Sequence, residues 1–487
     1  MKYLILTYGC QMNVHESEKL AGILESNGYE PTNNATDADI VVFNTCAIRE
    51  SAEQKIFGNI GELKNIKIAN PNMIIAIGGC MSQQKNYADE IMKRFPFVDI
   101  VFGTHNLADF EKLLIEKKET GKRISSVVED ETIALRDSLK LSRTSGVNAW
   151  VNIMYGCNNF CTYCIVPYVR GREVSRPAKD ILREVKSLLD EGYKQITLLG
   201  QNVNSYSGVD ENGNAISFAE LLSKIDELDY KFRLRFMTSH PKDLSSEVID
   251  VIASSKHICH GIHLPVQSGS DTILASMNRR YTREHYLKLV REIYEKIPDA
   301  ELTTDIIVGF PGETEEDFVK TLELMKEVRY MQIFGFIYSK RKGTVAEKMQ
   351  GHVDSQTKKE RLSRLLSVKN EIINKKTQDL LGKTFEVLVE SSGDDGVLYG
   401  SLDSGKTISF KGVANCVGEF INVKVSSVRK SVIYGEIVDE EKTLSFKEKS
   451  YKNPIAVSIL PKNEKGMKIL RENKQKSKQA NDNKSKN

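Results

Sequence analysis

Long apolar runs are missing from this 487-residue chain. No stretch of about 18 apolar residues occurs, which excludes a membrane-spanning helix. Cysteine is scarce, with eight residues that do not fall into dense paired spacings. That excludes a small disulfide scaffold and leaves metal binding or catalysis in a reducing compartment, the cytoplasm. The opening MKYLILTYGCQMN turns polar after a few apolar residues and has no small-residue cleavage site, so no secretory leader is expected. A dominant charge sign is also missing. Formal net charge is +3, but residues 461–487 hold nine Lys/Arg against three Asp/Glu, which leaves the rest of the chain at −3. Any electropositive surface on the body must therefore be local.

The length exceeds the roughly 250–300 residues at which one core stops growing, so several domains are expected. Residues 1–120 alternate apolar runs (KYLILTYG, ADIVVFNT, NMIIAIGG, VDIVFGT) with amphipathic stretches such as SEKLAGILESNGY, the pattern of strand–helix units on a parallel sheet. Residues 121–147 are polar and weakly periodic and read as a linker. From 148 to 378 the alternation resumes, with strands expected at AWVNIMY, QITLLG, RLRFMTS, GIHLPV, LTTDIIVGF and QIFGFIYS and a long charged helix near 355–379. Six such units predict a partial (β/α) barrel. Residues 379–440 are short strands with Gly/Ser/Asp turns, a small closed β-barrel by pattern. The basic remainder, 441–487, reads as a disordered tail. The fold class is α/β with that β-barrel appended.

YGCNNFCTYCIVP places Cys157, Cys161 and Cys164 at C-x3-C-x2-C directly after a strand. Three thiols within eight residues converge on a single soft centre. A structural zinc wants a fourth protein ligand, and no further cysteine follows closely. A 4Fe-4S cluster with one open iron accommodates the set most simply; zinc or plain buried cysteines are the competing readings. Cys10, Cys46 and Cys80 each end an apolar run (LILTYGC, VVFNTC, IIAIGGC). The carboxyl ends of parallel strands gather at one edge of a sheet, so these three can form a second cluster site. Taken singly, each would be an ordinary small buried residue. Cys259, Cys416 and His263 lack such a placement and are assigned to packing.

C-x3-C-x-Tyr-C at the first strand of a partial barrel resembles the radical S-adenosylmethionine (SAM) superfamily. The resemblance implies that the open iron chelates SAM and that an electron from the cluster cleaves its sulfonium to release a 5′-deoxyadenosyl radical. Tyr163 stands where that superfamily has an aromatic residue beside the adenine, with core packing as the other reading. Polar or Gly-rich turns end four further strands: GQNVNSY (200–206), TSHP (238–241), PVQSGS (265–270) and GFPGE (309–313). These would face the cluster together. Asn202 and Gln267 are the candidate SAM contacts, against ordinary turn formation.

The whole arrangement resembles the methylthiotransferases from residue 1 to about 440, and the terminal piece is similar to the TRAM domain, an RNA-binding module. GCQMN (9–13), NTCAIRE (44–50), FGTHN (102–106) and RFMTSHP (235–241) match the branch that modifies isopentenylated adenosine in tRNA, with Gln11 and Met12 as the discriminating residues. What the resemblance implies is a two-part reaction. One SAM methylates sulfur carried at Cys10/Cys46/Cys80. A second is cleaved at Cys157/Cys161/Cys164, and its radical takes hydrogen from C2 of the adenine. No catalytic residue beyond the six cysteines is assigned.

The partners expected are tRNA and a low-potential electron donor, with the chain a monomer. For RNA, PYVRGREVSRP offers Arg170, Arg172 and Arg176, against a solvated or internally paired loop including Glu173; the terminal β-domain offers Lys424, Arg429 and Lys430. Two alternatives stand beside this: the same chemistry on threonylcarbamoyladenosine or a ribosomal-protein aspartate, and an iron–sulfur protein for electron transfer or RNA binding without radical chemistry.

Overall fold

The computed structural model describes residues 1–47, 50–128, 141–143 and 146–439, together with 443, 446 and 457–459. It divides into two compact units, Met1–Ser145 with Ile165–Val174 and Lys452–Asn487, and Gly146–Cys164 with Ser175–Tyr451.

In the first unit Lys2–Thr7, Ile40–Thr45, Ile74–Gly79 and Ile100–Phe102 are nearly unbroken apolar segments, buried on both faces as parallel strands under helices must be. They pair in that order, all parallel. Tyr3, Ile5, Val42 and Ala76 face the helices Gln11–Ser26 and Phe110–Thr120 through Leu20, Leu24, Phe110 and Leu114. Leu4, Leu6, Phe43, Ile75 and Ile77 face the other way, onto Ile56, Ile60, Leu63 and Ile91 of Glu50–Ala69 and Tyr87–Arg94.

Three sequence boundaries change. Ile124–Ser126 pairs with Ile100–Phe102, so the sheet runs into the 121–147 segment read as a linker. Its three-residue apolar signal is lost among polar neighbours. Val457–Ile459 pairs with Lys2–Thr7, so regular structure reaches into the 441–487 segment read as a tail; the remainder of that tail, from 460, lies outside the described residues. Ile165–Val174 belongs with the N-terminal unit rather than with the 148–378 block that contains it in sequence.

In the second unit Asn148–Asn152, Gln195–Leu199 and Arg233–Phe236 form one parallel sheet, and Gly261–His263, Glu301–Val308 and Gln332–Ile337 another. A parallel bridge between Leu234 and Ile258 joins them, giving the six-stranded partial barrel expected. An additional hairpin, Ser207–Val209 with Ala215–Ser217, extends the second strand's loop. The helices pack Ile181, Val185, Leu221, Leu222, Ile249, Val290, Phe318 and Leu324 onto the strands in one apolar core.

The terminal strands Thr384–Ser392, Val397–Ser401, Thr407–Lys411, Val432–Ile437 and Phe420–Arg429 close into a barrel around Val387, Val389, Leu398, Ile408, Val423 and Ile433. Two arginines of one strand fasten it to the larger barrel. Arg233 donates to the carbonyls of Ser401 and Glu386, and Arg235 to those of Leu402 and Asp403. Among the described residues no helix is long and apolar enough to cross a membrane.

Candidate functional sites

Backbone register brings the N-terminal cysteines to one sheet edge. Thr7 pairs with Asn44 and Thr45 with Gly79, so the three strands end together. The Cys80 amide donates to the Thr45 carbonyl at 3.0 Å, and Cys10 opens the helix Gln11–Ser26 beside them. Close approach is bought with glycine. Gly9 has φ +121, and a Cβ there would stand 2.7 Å from Cys46 Cβ and 2.9 Å from its Sγ. Gly79, with φ +96, has the Thr45 carbonyl where its Cβ would be.

Asn13 fixes the edge. Its amide donates to the Tyr8 and Thr45 carbonyls at 2.8 and 2.9 Å, and its Oδ1 accepts from Cys10 Sγ at 3.9 Å and from Arg170 Nη2 at 2.8 Å. Arg170 also grips Glu16 with both terminal nitrogens, at 2.7 and 3.2 Å, and its charge acts on the Cys80 thiol. Burial pushes the Cys80 thiol up to about 11, against the pull of that guanidinium.

The second triplet lies on a loop turned by Gly156 (φ 66) and Phe160 (φ 48). Cys157 and Cys161 are buried and Cys164 is partly so. The loop hangs from residues 276–281. Asn278 donates to the Asn159 and Phe160 carbonyls, and Thr162 bonds Met277 and Ser276. Arg279, itself buried, points Nη1 at Cys161 Sγ (3.4 Å) and Tyr163 OH (3.5 Å) and is braced by the Pro265 carbonyl and Tyr281. Tyr163 packs edge-on to Phe310 at 6.5 Å in a small apolar cluster with Met277 and Tyr338.

At the ends of the first three barrel strands the structure gathers buried polar atoms that, among the described residues, have no hydrogen-bond partner: both amide atoms of Asn152, Asn202 Oδ1, Asn204 Nδ2, Ser239 Oγ and His240 Nε2. Such atoms are costly unless a ligand or water pairs them. These ends adjoin one another. Thr238 Oγ1 donates to the Gly200 carbonyl, the Val203 amide to the Thr238 carbonyl, and the His240 amide to Asn204 Oδ1. Thr238 holds φ 68, a strained conformation for a β-branched residue and of the kind found at functional sites. His240 Nδ1 accepts from the Lys242 amide, which leaves the ring proton on Nε2. Burial, then Arg279, Lys242 and Arg280, push its pKa down to about 2, so it stays neutral.

The other candidates divide. Asn202 is buried, with Nδ2 donating to Asp243 at 2.7 Å and Oδ1 unpaired. Gln267 is buried with φ 71 and carries its strand forward, its backbone bonded to Asp305 and Ile307. The Ser268–Ser270 turn is tied to Thr321 and Asp317, and the GFPGE turn folds round Glu313, which Arg361 caps at 2.7 Å; both are structural.

The RNA assignment of the loop arginines is corrected for two of the three. Arg170 and Arg176 are buried, Arg176 pairing with Glu184 at 2.9 Å, so neither reaches a phosphate; Arg172 is exposed. Cys259 and Cys416 lie in cores, and His263 bonds Thr303. Sequence reasoning missed Asn13, Arg170's true place, Arg279 and His240. Only the paired arginines of MNRRY hinted at the third.

Among the described residues no three His, Cys, Asp or Glu side chains close round a single ion. The donor sets nevertheless suit clusters: soft thiols only, on glycine-turned backbone, each triplet served by a buried guanidinium that can donate to sulfur.

A three-cysteine loop after the first strand of a six-stranded partial barrel, with unpaired polar atoms at the ends of its first three strands, is the arrangement of the radical SAM class, and residues 151–325 match the radical SAM superfamily. Residues 2–103 match the uncharacterized protein family UPF0004, and 378–438 the TRAM domain. The chain is 51% identical to the tRNA-2-methylthio-N(6)-dimethylallyladenosine synthase of Clostridium beijerinckii over 89% of its length and 95% of the relative's. It is 50% identical to that of Thermoanaerobacter pseudethanolicus over 90% and 93%. It belongs to the family of these synthases. Its fold is shared by the radical S-adenosylmethionine methyltransferase TsrM of Kitasatospora setae, whose structure holds cobalamin and a [4Fe-4S] cluster, with TM-score 0.51 at 14% identity over 71% of this chain and 77% of that one.

Proposed function

We propose that this chain attaches a methylthio group to C2 of N6-dimethylallyladenosine in tRNA, next to the anticodon. The observation that carries the reading is half identity, sustained over nine-tenths of the chain, to synthases of that product. It is supported by two thiol triplets, each at the carboxyl ends of parallel strands. Cys157, Cys161 and Cys164 would hold one 4Fe-4S cluster and Cys10, Cys46 and Cys80 a second. When bound, the first supplies the electron that cleaves SAM and the second carries the sulfur to be transferred.

The chain's own residues do the rest. Asn152, Asn202, Asn204, Ser239 and His240 offer donors and acceptors, unpaired within the protein, to the polar groups of SAM and the adenosine. Gln267, in its left-handed turn, lies at the next strand end, and Tyr163 presents a ring beside the cysteines. Arg279 holds Cys161 and Tyr163 in fixed relation. A site lined this way keeps bulk water from a reactive radical.

The partners of this reading are tRNA and a low-potential one-electron donor, with the protein a monomer in the cytoplasm. The test is mass spectrometry of tRNA nucleosides from a deletion strain. Loss of the methylthio group with accumulation of the isopentenylated precursor is expected; persistence of the methylthio product at its normal level would sink the reading.

A further inference from the structure

One charged group in the N-terminal unit is held more elaborately than a structural tether requires. Arg170 is 4% exposed, and a buried guanidinium is expensive unless each of its donors is used. Here they are. Glu16 takes both terminal nitrogens, Asn13 Oδ1 takes Nη2 as well, and the charge of the fork acts on Cys80. Asn13 in turn accepts from Cys10 Sγ and donates to the carbonyl of Thr45, the residue before Cys46. A single Arg–Asn–Glu assembly therefore touches Cys10 and the backbone leading to Cys46, and its charge acts on Cys80. Glu16 lies on the helix that Cys10 opens, so the fork is oriented by the element that presents one of the sulfurs.

We propose that Arg170 is the positioning residue of the Cys10/Cys46/Cys80 site, its guanidinium donating to the Cys80 sulfur and thereby stabilising the electron-rich state of the cluster held there. The inference rests on the reading that this triplet holds a 4Fe-4S cluster. Hydrogen bonds to cluster sulfurs raise the reduction potential because the donor's positive end favours added electron density. Reduction here adds one electron from a low-potential donor, breaks no bond and moves no proton. Because Glu16 balances the arginine's charge, the effect is that of an oriented donor close to sulfur rather than of net charge.

The test uses full-length protein with Cys157, Cys161 and Cys164 replaced by Ala, so that only the N-terminal cluster is read. It is reconstituted anaerobically, assayed for iron and sulfide, and titrated potentiometrically by electron paramagnetic resonance. Arg170→Gln with Glu16→Gln replaces the ion pair by two neutral amides of similar size. Unchanged iron with a midpoint shifted to more negative potential is expected. An unchanged or more positive midpoint overturns the proposal. If the double variant does not fold, Arg170→Lys, which keeps the charge but loses the fork, is read the same way: a smaller negative shift supports the proposal and no shift overturns it. Absence of iron from the parent protein, before any change at Arg170, would instead remove the underlying cluster reading and the proposal with it.

Discussion

Gly9 bends the chain between a strand and Cys10 at a φ of +121, with Cys46 where a Cβ would go. Gly9→Ala should cost about 1–3 kcal/mol in strain and push Cys46 out of the triplet. Iron per chain is then expected to fall by about half while the second triplet keeps its share, which metal analysis after reconstitution checks. His240 supplies the titration. With a folded pKa of about 2 against an ordinary 6.5, the unfolded chain binds the proton first as pH drops. Stability is therefore intact above about pH 6.5 and declines below it, by roughly 1.4 kcal/mol per pH unit from this ring alone. His240→Phe should flatten that acid limb in denaturant titrations from pH 7 to 4 and weaken SAM binding by removing the Nε2 donor. The six cysteines were legible in the sequence because each ends an apolar run or sits in a tight spacing. Arg170 was not, because its burial depends on a carboxylate 154 residues away.

Among the elements, the long apolar strands and amphipathic helices announced themselves by period, whereas the three-residue strands Ile124–Ser126 and Val457–Ile459 are too short to have one. The Arg233–Phe236 strand illustrates a further limit. RLRF reads as a half-buried strand, yet Arg233 is 6% exposed because the terminal barrel covers it and supplies carbonyl acceptors at 2.7 and 2.6 Å. The guanidinium also lies over the Phe420 ring at 5.4 Å. Arg233→Met would strand the Ser401 and Glu386 carbonyls and cost roughly 2–4 kcal/mol. The expected result is a separate, earlier unfolding transition of residues 384–437, read by limited proteolysis and hydrogen exchange, with the iron content of both triplets unchanged. A single transition at the parent midpoint would show that Arg233 does not fasten the terminal barrel.

At the scale of the whole molecule the three-part organisation was legible from changes of texture along the chain, while the assignment of Ile165–Val174 to the N-terminal unit was not, because it depends on contacts with residues far away in sequence. That assignment also redistributes the charge available for RNA. With Arg170 and Arg176 committed internally, the outward face of the terminal barrel becomes the better surface. Tyr399, Ser409 and Tyr434 lie in one row across three neighbouring strands, and both rings are exposed. Arg429 stands 5.8 Å from the Tyr434 ring, and Lys411 and Lys430 are exposed nearby in the same strands and turn. Flat rings edged by cations suit unstacked bases and phosphates without reading sequence. At about 1–3 kcal/mol per stacked base, Tyr399→Ala with Tyr434→Ala should weaken tRNA binding by at least about tenfold. Because these side chains belong to the terminal barrel, 5′-deoxyadenosine formation from SAM without RNA should be unchanged, and kcat at saturating tRNA should fall less than kcat/KM. Equal tRNA affinity in the double variant, measured by filter binding at one fixed salt concentration, would remove this face from the RNA path.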